Sequence, residues 1–176
     1  MLIIYYLYNF VEKNNRIDDR HFFEFLFLLF LKAKIQTSAF AEFTESFLQY
    51  LIKAELGLLE ARLEYENTLK KIDKFDVVLL SMGDDGHIAS LFPGHLYSKD
   101  ADVIVEYNSP KLPNKRISIS YRKLNKTHNV FKIILGQPKR QAISLIFQGY
   151  DLPINRVYGE VEKIFIHSSA IPIGGK

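Results

Sequence analysis

Hydrophobic and polar positions follow two rhythms along this chain, and the rhythm changes several times. Residues 2–11 are rich in aliphatic and aromatic side chains and read as a strand. Asp18 or Asp19 offers a cap for a helix running to about Lys34, and Thr37 or Ser38 one for the next helical region. From Phe40 to Ile72, apolar residues recur at Phe47, Leu48, Leu51, Ile52, Leu56, Leu59, Leu63 and Leu69, which is helical spacing, with Gly57 as a point of division. Strands and helices then alternate over 75–82, 87–92, 117–121, 129–135, 138–148 and 163–167. That order predicts an α/β fold with a mostly parallel, Rossmann-like sheet flanked by helices. Ser109 to Asn114 reads as a loop and not a linker, so residues 1–176 are expected to form a single domain.

Composition narrows the class. A length of 176 residues suits one sizeable core, and 48% hydrophobic with 24% charged residues is globular, not disordered. A net charge of +3 is too small and dispersed to argue for nucleic acid, but it suits a small anionic substrate. The absence of cysteine removes disulfides and thiolate chemistry and permits a cytoplasmic setting. The start, Met1 to Tyr8, lacks the basic region and cleavage site of a signal peptide. Phe22 to Leu31 is very apolar but too short for a bilayer, and Glu24 interrupts it. It reads as a core helix, apolar all round, that needs covering; no membrane partner is expected.

One segment carries most of the chemistry. The apolar run Phe75 to Leu80 breaks into Gly83-Asp84-Asp85-Gly86, a turn whose glycines allow close backbone approach to a ligand, and His87 follows at once. Read as a strand, a turn and a short helix opening at His87, this puts an imidazole beside backbone N–H groups at the sheet edge where parallel sheets bind ligands. Asp-Gly-His alone is more often a structural turn. No Gly-x-Gly-x-x-Gly or P-loop is present, no His spacing suggests a metal, and no serine has a nucleophile-elbow context. Neither metal nor cofactor is expected. His21, His95 and His128 lack a partner pattern and read as surface residues, and His167 reads as structural.

The run Ser81-Met82-Gly83-Asp84-Asp85-Gly86-His87-Ile88-Ala89-Ser90-Leu91-Phe92-Pro93-Gly94 resembles the signature of the 6-phosphogluconolactonases, with Ser81 in place of a glycine. Related glucosamine-6-phosphate deaminases share Asp-Gly-His-Ile-Ala but continue Phe-Asn-Glu-Pro, so Ser90 to Pro93 favours the lactonase branch. The resemblance continues through Arg116 to Ser120, Phe131 to Lys139, Leu152 to Val157 and Lys163 to Ala170, where His167 replaces the family's acid. It is poor before Arg62. The Gly-Gly-Ser/Thr phosphate loop is lacking, and Phe10 to Asn14 or Asp18-Asp19-Arg20 is a weak match to the Asp-Glu-Arg motif. The expectation is a lactonase-like chain without the family's first strands, with residues 1–60 divergent.

The resemblance implies a cofactor-free hydrolase of the pentose phosphate pathway acting on the small sugar-phosphate lactone 6-phospho-D-glucono-1,5-lactone. His87 would be the general base and Asp85 its orienting group or a turn residue, the turn role being the more usual for Asp. Gly83 and Gly86 would approach substrate, turn amides would hold the oxyanion, and Arg116 and Lys139 would bind phosphate. On the loss of the phosphate loop, weakened activity is expected. A non-catalytic remnant of the enzyme is the alternative, and an amino-sugar-phosphate deaminase a more distant one.

Overall fold

The computed structural model describes residues 2–4 and 52–173. The expected strand beyond Ile4, the helices over 18–34 and 40–51, the Asp-Glu-Arg candidates and His21 lie outside the described residues. In chain order the elements are β1 (Leu2–Ile4), α1 (Leu58–Lys70), β2 (Phe75–Leu80), β3 (Val103–Glu106), β4 (Arg116–Ile119), α2 (Tyr121–Leu124), β5 (Thr127–Ile134), α3 (Arg140–Phe147) and β6 (Val161–Ile166).

Four strands form one parallel sheet in the order β1-β2-β5-β6. Its centre is the pairing of β2 with β5, with Val78 opposite Val130 and Leu80 opposite Lys132. Phe75, Val78, Leu80, Val130 and Ile134 are all buried, which is why these strands read as apolar runs. At the edge, β6 leaves Val161, Ile164 and Phe165 exposed. None of the described helices is long and apolar enough to cross a membrane.

Two sequence expectations need correction. The strand expected over 117–121 is not part of the parallel sheet. As β4 it pairs antiparallel with β3, Val105 opposite Ile117 and Glu106 opposite Arg116, in a separate two-stranded ribbon. The segment 87–92 is not a helix. Ala89 has φ +49°, and Ile88 and Leu91 exchange backbone hydrogen bonds of 3.3 and 2.7 Å in an isolated bridge. The Ser90 amide donates to Ser118 Oγ (2.9 Å) and the Phe92 amide to Tyr97 Oη (2.8 Å), so tertiary partners replace a helical ladder.

Helix α1 buries Ala61, Tyr65 and Leu69, an i, i+4, i+8 stripe, while Leu59 and Leu63 face outward. Its end is held by Lys123 of α2, whose side chain is 2% exposed. Lys123 Nζ donates to Leu69 O at 2.8 Å, which also accepts the Ile72 amide (3.1 Å), and to Ile72 O just past the helix. Burial pushes this ammonium's pKa down, while Asp102, 4.0 Å away, opposes the shift.

Candidate active site

The site begins where β2 ends. Ser81 and Met82 lead from the strand into a turn closed by Gly83 N–H to His87 O (2.8 Å) and Gly86 N–H to Gly83 O (3.2 Å). Asp85 Oδ1 accepts from the His87 amide at 3.0 Å and lies 2.5 Å from His87 Nδ1. Asp85 therefore does both things open to it: it holds the turn and it orients the ring. Burial raises the Asp85 pKa, but hydrogen bonds from the His87 ring and amide outweigh it and hold the carboxyl down at about 2. An ionised Asp85 accepts only, so Nδ1 carries the proton of this hydrogen bond.

His87 lies at the carboxyl end of β2, as expected, but not on an open rim. It is 1% exposed, its ring centroid is 4.7 Å from that of Phe92, and Nε2 is buried without a hydrogen-bond partner. Both glycines are filled by protein. A Cβ on Gly83 would lie 2.1 Å from His87 Cε1 and Nδ1; one on Gly86, where φ is +84°, would lie 2.6 Å from Leu152 Cδ1. Gly86 O also accepts from the Ile154 amide at 3.2 Å, which ties the Pro153–Arg156 turn to the site.

Four of the five amides in the turn expected to hold the oxyanion are taken. The amides of Gly83 and Gly86 bond to backbone carbonyls, and those of Asp85 and His87 to the carboxylates of Asp84 and Asp85. A developing oxyanion needs a donor outside these four.

Arg116 opens β4, and its guanidinium turns onto the preceding loop. Nε donates to Pro113 O (2.9 Å), and Nη2 to Lys111 O (2.9 Å) and Leu112 O (2.8 Å); the group also sits 5.6 Å from the Phe92 ring centroid. Arg116 thus neighbours the His87 cluster through Phe92, with these donors engaged by the chain itself. Lys139 ends the 3₁₀ turn Gln137–Lys139 that follows β5, and precedes α3. Because β2 and β5 are adjacent and parallel, Lys139 and His87 share one edge of the sheet. His167 does what an acid would do at its position: Nδ1 accepts from the Ser169 amide at 3.2 Å and caps a 3₁₀ turn.

Sequence reasoning missed a second cluster. Glu106 is 5% exposed and accepts from His95 Nδ1 (2.8 Å), Tyr97 Oη (2.9 Å) and the Asn108 amide (2.7 Å). Burial raises the Glu106 pKa, but the amide of Asn108, Tyr97 and His95 outweigh it and keep the carboxyl below its ordinary range. His95 is therefore half-buried against a buried carboxylate, whereas His128 pairs with the exposed Glu160 at the surface. A glutamate at an apolar strand end was the only sequence signal. Lys111, also missed, reaches across to pair with Asp84 beside the His87 turn. Asp84, Asp85 and His87 bring one donor atom each within 4.8 Å of one another, a geometry that could hold a cation, but Lys111 already occupies Asp84 and His87 occupies Asp85.

Comparison with known proteins agrees with this architecture. A family model described as glucosamine-6-phosphate isomerases/6-phosphogluconolactonase matches residues 23–166. A probable 6-phosphogluconolactonase 4 of Arabidopsis thaliana is 33% identical over 127 residues, 62% of this chain and 49% of the relative. A probable 6-phosphogluconolactonase of Drosophila melanogaster is 38% identical over 92 residues, 50% of this chain and 38% of that protein. The crystal structure of 6-phosphogluconolactonase from Thermotoga maritima superposes with a TM-score of 0.60 at 30% identity, covering 65% of this chain and 54% of its own. The chain spans about half the length, or less, of the relatives it matches.

Proposed function

We propose, for a chain that belongs to the glucosamine-6-phosphate isomerase/6-phosphogluconolactonase family, hydrolysis of 6-phospho-D-glucono-1,5-lactone to 6-phosphogluconate in the pentose phosphate pathway. The observation that carries the reading is the geometry of His87: Nδ1 is committed to an ionised Asp85, and Nε2 is buried with no hydrogen-bond partner. A polar atom left unpaired in the interior costs about 1–3 kcal/mol, and a reacting water would recover that.

In this mechanism a water attacks the lactone carbonyl carbon while Nε2 takes its proton. The Asp85 carboxylate stabilises the imidazolium that forms. Collapse of the tetrahedral intermediate breaks the bond from that carbon to the ring oxygen, and His87 returns the proton to the departing oxygen. The product is the open acid, which ionises in neutral water. His87 acts on the reacting atoms and Asp85 acts through its ring; Arg116 supports the neighbouring loop, and Lys139 is a phosphate ligand by resemblance. A cytoplasmic setting, compatible with the absence of cysteine, belongs to the same proposal.

The test is lactone hydrolysis by the purified chain beside His87→Ala and buffer, with a general base worth about 10²–10⁴-fold. A second reading is favoured by two observations, the enclosure of His87 and the engagement of Arg116 by backbone carbonyls. In it the chain keeps the family fold without turnover, and a rate equal to buffer would select it.

A further inference from the structure

We propose that Glu106, a buried carboxylate outside the reacting groups, is a positioning residue for His87: through Tyr97 and His95 it fixes Phe92, the ring that packs against the imidazole. The consequence for rate rests on the lactonase reading; the geometry does not.

Phe92 is 1% exposed, and its ring centroid lies 4.7 Å from that of His87 at an interplanar angle of 35°. Asp85 fixes Nδ1 of the imidazole, and the ring fills the space at Gly83. In so filled a site, where Phe92 sits decides how far the imidazole can turn. The segment around Phe92 does not hold its amide. In a helix that amide would bond to the carbonyl of Ile88, but this carbonyl takes the Leu91 amide at 2.7 Å, and Ala89 enters the left-handed region. The Phe92 amide donates instead to Tyr97 Oη at 2.8 Å.

Tyr97 Oη lies 2.9 Å from Glu106 Oε2 and 3.2 Å from Ser90 O, and a phenol has one proton to give. Burial pushes the Tyr97 pKa up, so the phenol stays protonated. Glu106 keeps its charge despite burial, and a charged acceptor at the shorter distance takes the proton. The lone pairs of Oη are then left for the Phe92 amide. Turned to Ser90, the hydroxyl would set oxygen lone pairs against each other 2.9 Å apart. A second arm reaches the ring itself. Glu106 Oε2 also accepts from His95 Nδ1 at 2.8 Å, and the His95 ring lies 5.8 Å from that of Phe92 and stacks on Tyr97 at 6.2 Å, centroid to centroid. Glu106 Oε1 is anchored by the Asn108 amide at 2.7 Å, and the pairing of β3 with β4 sets the backbone beneath it. One buried carboxylate thus holds both the amide and the ring of Phe92.

The experiment is proton NMR of the full, isotope-labelled chain at a single pH, with lactone hydrolysis measured alongside. The Hδ2 and Hε1 resonances of His87 carry the ring current of Phe92, and Phe92→Leu marks where they lie without it. Tyr97→Phe removes the linking hydroxyl, and Glu106→Gln removes the charge. Both are expected to move the His87 resonances toward their Phe92→Leu positions. Both should lower kcat about 10- to 100-fold with KM unchanged, because a displaced base costs rate and not binding. Glu162→Gln, which takes the carboxylate from another buried cation, Lys132, is expected to cost stability and leave the His87 resonances and kcat at wild-type values. Wild-type His87 resonances in folded Tyr97→Phe and Glu106→Gln chains overturn the positioning role. Displaced resonances with an unchanged kcat overturn it too, as does an equal displacement in Glu162→Gln, which would make the effect a general loosening. The unmodified chain supplies a check that no folding defect can spoil: the Phe92 amide should be protected from hydrogen exchange, and free exchange overturns the line from Glu106. A chain without turnover sinks the lactonase reading alone, because the resonances are read without substrate.

Discussion

Adding a single methyl group at Gly83 tests the geometry of the site without removing any of its functional groups. A Cβ there would lie 2.1 Å from His87 Cε1 and Nδ1 and 2.9 Å from Asp85 Oδ1. Ordinary carbon contacts are about 3.5–4.0 Å, so in Gly83→Ala the ring must move by more than about 1 Å. That motion breaks the 2.5 Å contact from Nδ1 to Asp85, a hydrogen bond to a charged group worth about 1.5–3 kcal/mol. Forcing a methyl into a filled space costs a further amount of about 1–3 kcal/mol. A displacement of about 1 Å at a catalytic group costs on the order of 10²-fold in rate. Urea unfolding should therefore show a loss of about 2.5–6 kcal/mol, and lactone hydrolysis a drop of at least about 10²-fold in kcat. Gly86→Ala is the control, because its methyl meets Leu152 and not the ring. It should lose stability with a smaller effect on kcat. A Gly83→Ala chain with wild-type stability and rate would show that the His87 ring is not packed on Gly83, and the geometry argued here would be wrong.

Three other outcomes follow from the same contacts. Lys123→Met should destabilise the fold by about 1–3 kcal/mol for the Ile72 carbonyl that loses this donor, Leu69 O keeping its bond from the Ile72 amide, read by urea unfolding; an unchanged midpoint would remove the lysine's capping role. Asp85 has a carboxyl pKa lowered to about 2, so its contribution to stability is complete above the unfolded value near 4 and is lost as pH falls from about 4 to about 2. The thermal midpoint of the wild-type chain should fall more steeply across that window than that of Asp85→Asn, and parallel curves would contradict the shift. Arg116→Ala removes three bonds to the loop carbonyls of Lys111, Leu112 and Pro113, and should raise KM more than it lowers kcat; the reverse pattern would assign Arg116 to the chemical step.

What could be read in the sequence was local. The run from Phe75 to Leu80 declared a buried strand, and Gly83 to His87 declared a turn carrying an imidazole, because side-chain period and glycine spacing are properties of neighbours. The parallel sheet followed from alternation. The departures all arise from partners distant in sequence. Residues 87–92 have the composition of a helical turn, yet Ser118, from another strand, takes the Ser90 amide, and the backbone at Ala89 enters the left-handed region. Arg116 announced itself as a cation at a strand end, but the direction of its guanidinium depends on where three loop carbonyls point. The cluster around Glu106 was illegible because His95 and Tyr97 precede it in a loop without periodicity, and only the pairing of β3 with β4 brings the carboxylate under them. The two glycines were read as openings for substrate; what they admit is the His87 ring and Leu152.

The central claim is that Nε2 of His87, with Nδ1 fixed by Asp85, takes a proton from water during lactone opening. Its most direct test is the initial rate of 6-phosphogluconate formation from the freshly prepared lactone, measured for the wild-type chain, His87→Ala and buffer alone. The account predicts a wild-type rate above buffer that falls by about 10²–10⁴-fold, or to the buffer rate, in His87→Ala. A wild-type rate equal to buffer, or a His87→Ala rate equal to wild type, would contradict it.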